Sequence, residues 1–143
     1  IGQYVEKLIP KSCKFISLGR KIPLHEEGKP IRNWLHAEDT ADAIITIIKN
    51  NEDNILNNNI FNISGHFEQS NLETVKKILI NYYDNFDVSK IDDYVDISIK
   101  RKGQDIRYSV DDTKLINLGW QPKMKFDEEI KKIVEYYKNN FIW

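Results

Sequence analysis

With 143 residues the chain can bury one substantial core, because a domain near 150 residues hides roughly two-thirds of its unfolded surface. Its 21 Lys and Arg stand against 22 Asp and Glu, which excludes a surface built to bind a nucleic-acid backbone or a polybasic membrane anchor. Any anion site is therefore local. A single cysteine, Cys13, excludes an internal disulfide and suits a reducing, cytoplasmic setting, and no run approaches the roughly 20 apolar residues of a membrane span. The sequence opens on Ile1 without a Met or a charged-then-apolar leader, so it reads as a segment of a longer chain.

Val5, Leu8, Phe15, Ile16 and Leu18 recur at roughly helical spacing, with Pro10 tolerated near the start and Gly19 closing the run. This predicts a helix from about Glu6 to Leu18. Ile22 to His25 reads as a short edge or parallel strand, since a proline at its second position does not suit a central antiparallel ladder. Glu26 to Pro30 is a turn, Ile31 to Leu35 a strand, and Ala41, Ile44, Ile45 and Ile48 the buried stripe of a helix capped by Asp39 or Thr40. The Asn-rich stretch Asn50 to Asn59 is a surface loop, and Ile60 to Ile63 a strand ended by Ser64-Gly65.

Ser70 and Glu73 form a capping-box pattern for a helix that buries Leu72, Val75, Ile78, Leu79 and Tyr82. Tyr94 to Ile99 alternates as a half-buried strand and delivers the basic turn Lys100-Arg101-Lys102-Gly103-Gln104. A short helix from Asp111 stops at Gly119, Trp120-Gln121-Pro122 is a packed connection, and Ile130, Ile133, Val134 and Tyr137 stripe a final helix opening at Phe126. Helices interspersed with few strands predict an α/β or α+β unit.

The chemistry concentrates at Gly28 to Asp39. An Arg embedded in a short strand, Arg32, is costly without an anion, and a guanidinium is the side chain best shaped to grip phosphate through two parallel hydrogen bonds. Pairing with Glu38 or Asp39 is the alternative reading. Arg101, on a turn, can complete a diphosphate clamp with Arg32, or belong to a solvated charge run. Asn71, in the first turn of its helix, can meet a phosphate or base, or serve the helix end alone. His25, His36 and His66 lack metal-ligand spacing, and there is no nucleophile elbow, Tyr-x-x-x-Lys pair or glycine-rich dinucleotide fingerprint.

Six motifs occur in order: Glu6-Lys7-Leu8-Ile9-Pro10, Pro30-Ile31-Arg32-Asn33-Trp34-Leu35-His36-Ala37-Glu38-Asp39, Phe61-Asn62-Ile63-Ser64-Gly65, Asn71-Leu72, Asp105-Ile106-Arg107-Tyr108 and Leu118-Gly119-Trp120-Gln121-Pro122. Together they resemble the C-terminal, substrate-binding part of nucleoside-diphosphate-glucose 4,6-dehydratases, which are extended short-chain dehydrogenase/reductase enzymes of Rossmann type. The resemblance covers almost the whole chain and makes it one nucleotide-sugar-binding domain. It implies that Lys7 and Leu8 contact the sugar nucleotide, that Pro23, Leu24 and His25 hold the base, that Arg32 grips the diphosphate, and that Asn71, Arg101, Gly103 and Gln104 complete the site. The partner implied is dTDP-glucose or UDP-glucose.

The chain departs from the family pattern at three positions of the basic turn, where Lys100, Lys102 and Gln104 replace Asp, Pro and His, and at His25, which replaces a Tyr and resembles UDP-glucose-using relatives. In the family, NAD takes hydride from the sugar C4, water is eliminated across C5 and C6, and hydride returns to C6, giving a 4-keto-6-deoxy sugar. The resemblance places the NAD-binding half, the Tyr-x-x-x-Lys pair, the Asp-Glu acid/base pair and the helices of the family's homodimer before Ile1. No catalytic residue is then expected in this segment. Two rivals share the reading: an epimerase or decarboxylase of the same superfamily, and a non-catalytic nucleotide-sugar-binding remnant.

Overall fold

The structure, a computed structural model, describes residues 1–50 and 60–140. The larger core is built by three helices, α1 (Leu8–Ser17), α3 (Asn71–Tyr82) and α6 (Phe126–Asn139). Ile9, Cys13 and Ile16 of α1 meet Val75, Ile78 and Leu79 of α3 and Ile130, Val134 and Tyr137 of α6, as the helical periodicity predicts. Gly19 ends α1 with φ +61°, and the amides of Gly19 and Arg20 donate to the carbonyls of Ile16 and Phe15 at 3.0 and 2.9 Å. This is the Schellman arrangement, which a residue without Cβ enters readily. Ser70 caps α3 by accepting the Glu73 amide at 3.1 Å.

Two small sheets lie against this bundle. Strand β1 (Ile22–Pro23) pairs in parallel with β4 (Val95–Asp96), and β2 (Ile31–Asn33) pairs antiparallel with β3 (Glu68–Ser70), placing Arg32 opposite Gln69. A second core joins Ala43 of α2 (Ala37–Lys49), Leu115 of α5 (Thr113–Ile116) and Trp120, with Phe61, Ile63 and Leu118 packed on it. The α/β class therefore holds, as does the packed connection at Trp120.

Several expectations are corrected. Helix α2 starts at Ala37, capped by His36 Nδ1, which accepts the Glu38 amide at 3.2 Å. Asp39 instead lies buried in the first turn and accepts the backbone N–H groups of Lys123 at 2.9 Å and Met124 at 3.1 Å. The stripe expected to be buried is exposed: Ile44 keeps 49%, Ile45 48% and Ile48 64% of its surface, while Ala43 faces the second core. Ile60 to Ile63 has the composition of a strand but forms none, because no strand among the described residues lies alongside it, and Ile60 is 80% exposed. The strand expected over Tyr94 to Ile99 shrinks to β4, since Tyr94 closes a one-turn helix, α4 (Ile91–Tyr94). Most of the Asn-rich loop, residues 51–59, lies outside the described residues.

Cys13 is wholly buried, and burial pushes its thiol from an ordinary 9.0 up to about 12. The fold holds the neutral thiol while the unfolded chain ionises above its ordinary value. The stability this confers is complete below pH 9 and is lost as pH rises towards 12, by at most about 1.4 kcal/mol per pH unit. Denaturant melts between pH 8 and 10.5 are expected to show a steeper alkaline loss in the parent than in Cys13→Ala. Parallel slopes would contradict a neutral, buried Cys13.

Candidate nucleotide-sugar-binding site

The turn after β1, His25 to Gly28, runs with φ of +49° at Glu26, +58° at Glu27 and +72° at Gly28. Left-handed backbone at two glutamates costs conformational energy that ordinary turn-formers avoid, so surrounding contacts must hold it. They are visible. The Glu26 amide donates to the Ile99 carbonyl at 3.2 Å, the Glu26 carboxylate accepts the Arg101 amide at 3.3 Å, and Gly28 sits so close to Leu72 that a Cβ there would lie 2.8 Å from the Leu72 Cβ. The turn thus touches both the basic loop and the start of α3.

Arg32 occupies the middle of β2. Its Nη1 donates to the carbonyls of Ile31 at 2.7 Å and Asp105 at 3.3 Å, and its guanidinium carbon lies 4.5 Å from the centre of the Tyr108 ring. It pairs with neither Glu38 nor Asp39, and among the described residues it makes no ion pair at all. The loop carrying Tyr108 is fastened to β2 and β3. The Ile31 amide donates to the Ile106 carbonyl at 2.7 Å, Ile31 and Arg107 form a parallel bridge, and Arg107 Nε reaches the Glu68 carboxylate at 2.9 Å. Asn71 opens α3 beside this strand, its amide donating to the Pro30 carbonyl at 2.9 Å.

A hydrogen bond donated to Asp105 holds the Tyr108 hydroxyl above its ordinary phenol value, and the charges of Arg32 and Arg101 pull it the other way. Arg101 itself is exposed in the turn that Gly103 reverses with φ +76°, and the Gln104 amide donates to the Arg101 carbonyl at 3.2 Å. Glu26 thus links the turn of His25 to Arg101, and the Asp105 carbonyl accepts from both Arg32 and Gln104 Nε2, the latter at 3.4 Å. Pro23 lies in β1 and Leu24 is buried in the larger core. Lys7 precedes α1 with its backbone N–H on the Tyr4 carbonyl at 2.9 Å, and Leu8 packs on the larger core. No hydrogen bond or ion pair among the described residues ties either to Arg32.

The sequence left three neighbours unremarked: Glu26, which holds the basic turn; Tyr108, under Arg32; and Gln69, across from Arg32, whose amide is buried without a hydrogen bond among the described residues. Asp105 and Tyr108 stand in one of the six motifs, which was the available signal. A cavity of ≈310 Å³ opens between the N-terminal stretch and α6, lined by Trp34, His36, Phe67, Phe126 and Glu129 among others, and none of the ten expected site residues borders it.

A Cβ at Gly28 would meet the Leu72 Cβ at 2.8 Å, and one at Gly65 the Trp34 carbonyl oxygen at 1.7 Å, so close packing within the fold requires both glycines. Among the described residues no three His, Cys, Asp or Glu side chains cluster as metal ligands, and no helix is long and apolar enough to cross a membrane.

The chain belongs to the GDP-mannose 4,6 dehydratase family, whose model it matches over residues 1–133. Within that class it is similar to the dTDP-D-glucose 4,6-dehydratase of Bos taurus, 34% identical over 139 residues, and to the dTDP-glucose 4,6-dehydratase of Haemophilus influenzae, 33% identical over 144. The match covers 97% and 96% of this chain but 38% and 41% of those proteins. The chain thus spans about two-fifths of the length of the curated relatives it matches. The crystal structure of DesIV, a dTDP-glucose 4,6-dehydratase of Streptomyces venezuelae with NAD bound, superimposes with a TM-score of 0.80 at 29% identity, over 96% of this chain and 40% of that one. A UDP-glucuronic acid 4-epimerase of Bacillus cereus shares the fold at 16% identity and a TM-score of 0.71.

Proposed function

We propose that these residues form the nucleotide-sugar-binding portion of an NAD-dependent nucleoside-diphosphate-glucose 4,6-dehydratase, with dTDP-glucose or UDP-glucose as substrate and the 4-keto-6-deoxy sugar as product. One observation carries the reading: Arg32 makes no ion pair among the described residues, lies over the Tyr108 ring at 4.5 Å and uses only Nη1, on the carbonyls of Ile31 and Asp105. A guanidinium with a free edge suits a diphosphate, and Arg101 on the basic turn is the candidate for a second grip on it. The DesIV structure, a dehydratase determined with NAD, supports the cofactor.

NAD and the groups that take and return protons belong, on this reading, to polypeptide outside the present residues, and Lys7 and Leu8 meet the sugar only alongside it. His25, whose Nδ1 is buried without a hydrogen bond among the described residues, faces the base with Pro23 and Leu24. The buried lone thiol of Cys13 supports a cytoplasmic protein. The test uses the full natural chain with dTDP-glucose and UDP-glucose in turn. Formation of a 4-keto-6-deoxy product, read by its alkaline absorbance, is the expected result. A chain that bound NAD yet released only the C4 epimer would overturn the dehydratase assignment in favour of an epimerase.

A further inference from the structure

The guanidinium of Arg32 has two edges, and the structure uses one. Nη1 is occupied by the carbonyls of Ile31 and Asp105, while among the described residues Nε and Nη2 donate to nothing. A guanidinium held by one nitrogen alone can swing about its stem, and long side chains pay for such freedom in entropy when they close on a ligand. The Tyr108 ring removes that freedom, because a cation centred 4.5 Å from an aromatic centroid is attracted by the ring's electron-rich face.

The ring is itself fastened. Asp105 acts twice, its carbonyl accepting Arg32 Nη1 and its carboxylate accepting the Tyr108 hydroxyl. The loop between them is pinned to β2 through Ile31 and to β3 through the Arg107–Glu68 ion pair at 2.9 Å. Tyr108 remains 51% exposed, so it contributes little to either core. A half-exposed tyrosine secured at its hydroxyl and covered by an arginine on its face is built as a platform.

We propose that Tyr108 is a positioning residue for Arg32: its ring face fixes the plane of the guanidinium so that the unoccupied Nε–Nη2 edge presents two parallel donors to a diphosphate. This rests on the diphosphate role proposed above for Arg32, and adds that the affinity Arg32 provides depends on the ring beneath it. Phenylalanine or tryptophan then preserves the function and leucine does not, although all three are apolar and fit an exposed position.

The experiment is a double-mutant cycle in the full natural chain, with thymidine diphosphate as ligand and calorimetric Kd as readout, each variant first checked by thermal melt. Tyr108→Leu is expected to weaken binding about three- to tenfold, a loss of the size a surface cation–ring contact supports. Tyr108→Phe and Tyr108→Trp are expected to stay within about threefold of the parent, since both keep a ring face for Arg32. In an Arg32→Ala background Tyr108→Leu is expected to cost nothing further. Full additivity in that background, or a folded Tyr108→Leu that binds like the parent, would overturn the positioning role. Should Tyr108→Leu fail to fold, a folded Tyr108→Trp bound more than tenfold weaker would overturn it as well. An Arg32→Ala single variant with parental affinity marks a different failure, that of the diphosphate reading itself.

Discussion

Replacing Gly65 by alanine is expected to cost at least about 4 kcal/mol, at the exceptional end of single substitutions, and to lower Tm by more than roughly 10 °C. A Cβ at this position would lie 1.7 Å from the Trp34 carbonyl oxygen, 2.6 Å from the Trp34 carbonyl carbon and 2.9 Å from the Leu35 Cα. All three are backbone atoms, so no rotamer change relieves the overlap. The neighbouring contacts oppose any retreat: the Gly65 amide donates to Asn33 Oδ1 at 2.8 Å, Asn33 Nδ2 donates to Ser64 Oγ at 3.0 Å, and His66 meets the buried Asp112 at 2.8 Å. Either the turn at 64–66 or the end of β2 must move, and β2 carries Arg32. Gly19→Ala is the control. Unlike Gly65 it has positive φ, and it has open space around it, so about 1–2 kcal/mol of backbone strain is its whole cost. Equal melting temperatures for the two variants would show that the Gly65 approach is not rigid.

Arg32→Ala is expected to weaken binding of a nucleoside-diphosphate glucose by about 1.5–3 kcal/mol, roughly 10- to 150-fold, the value of hydrogen bonds to a charged group. The folded protein should notice little. Arg32 gives the structure two bonds to carbonyls and one stack on a half-exposed ring, and its partners keep water once it is gone. Arg32→Lys should fall between, since an ammonium keeps the charge and loses the planar fork. Calorimetry on the full natural chain decides it. Parental affinity in a folded Arg32→Ala protein would remove Arg32 from the site.

What the sequence disclosed, and what it withheld, follows from where each signal is stored. Helices α3 and α6 were legible because one side of each faces a core, which writes a periodic stripe into Val75, Ile78 and Leu79 and into Ile130, Val134 and Tyr137. Gly19 and Ser70 were legible because caps are local chemistry. Strand β3 was not, for Glu68, Gln69 and Ser70 carry no apolar alternation and are strand only because Asn33, Arg32 and Ile31 lie opposite. Periodicity also misled: Ile44, Ile45 and Ile48 form a stripe as regular as any in the chain, yet periodicity reports that a face is apolar and not what covers it. The site divided in the same way. Arg32 stood out as a lone cation in an apolar context, whereas its meeting with Asp105, 73 residues away, is a product of tertiary structure that no spacing encodes.

Three water-facing isoleucines on α2 have a practical side. Helix α2 is tied down at its first turn by Asp39 and along one flank by Ala43, so its shape does not depend on what lies over Ile44, Ile45 and Ile48. These 143 residues handled by themselves would carry a ready-made greasy handle, inviting detergent, chaperone or self-association without any loss of folded structure. Turbidity in such a preparation would then speak of colloid chemistry, and a sharp melt could accompany a cloudy tube.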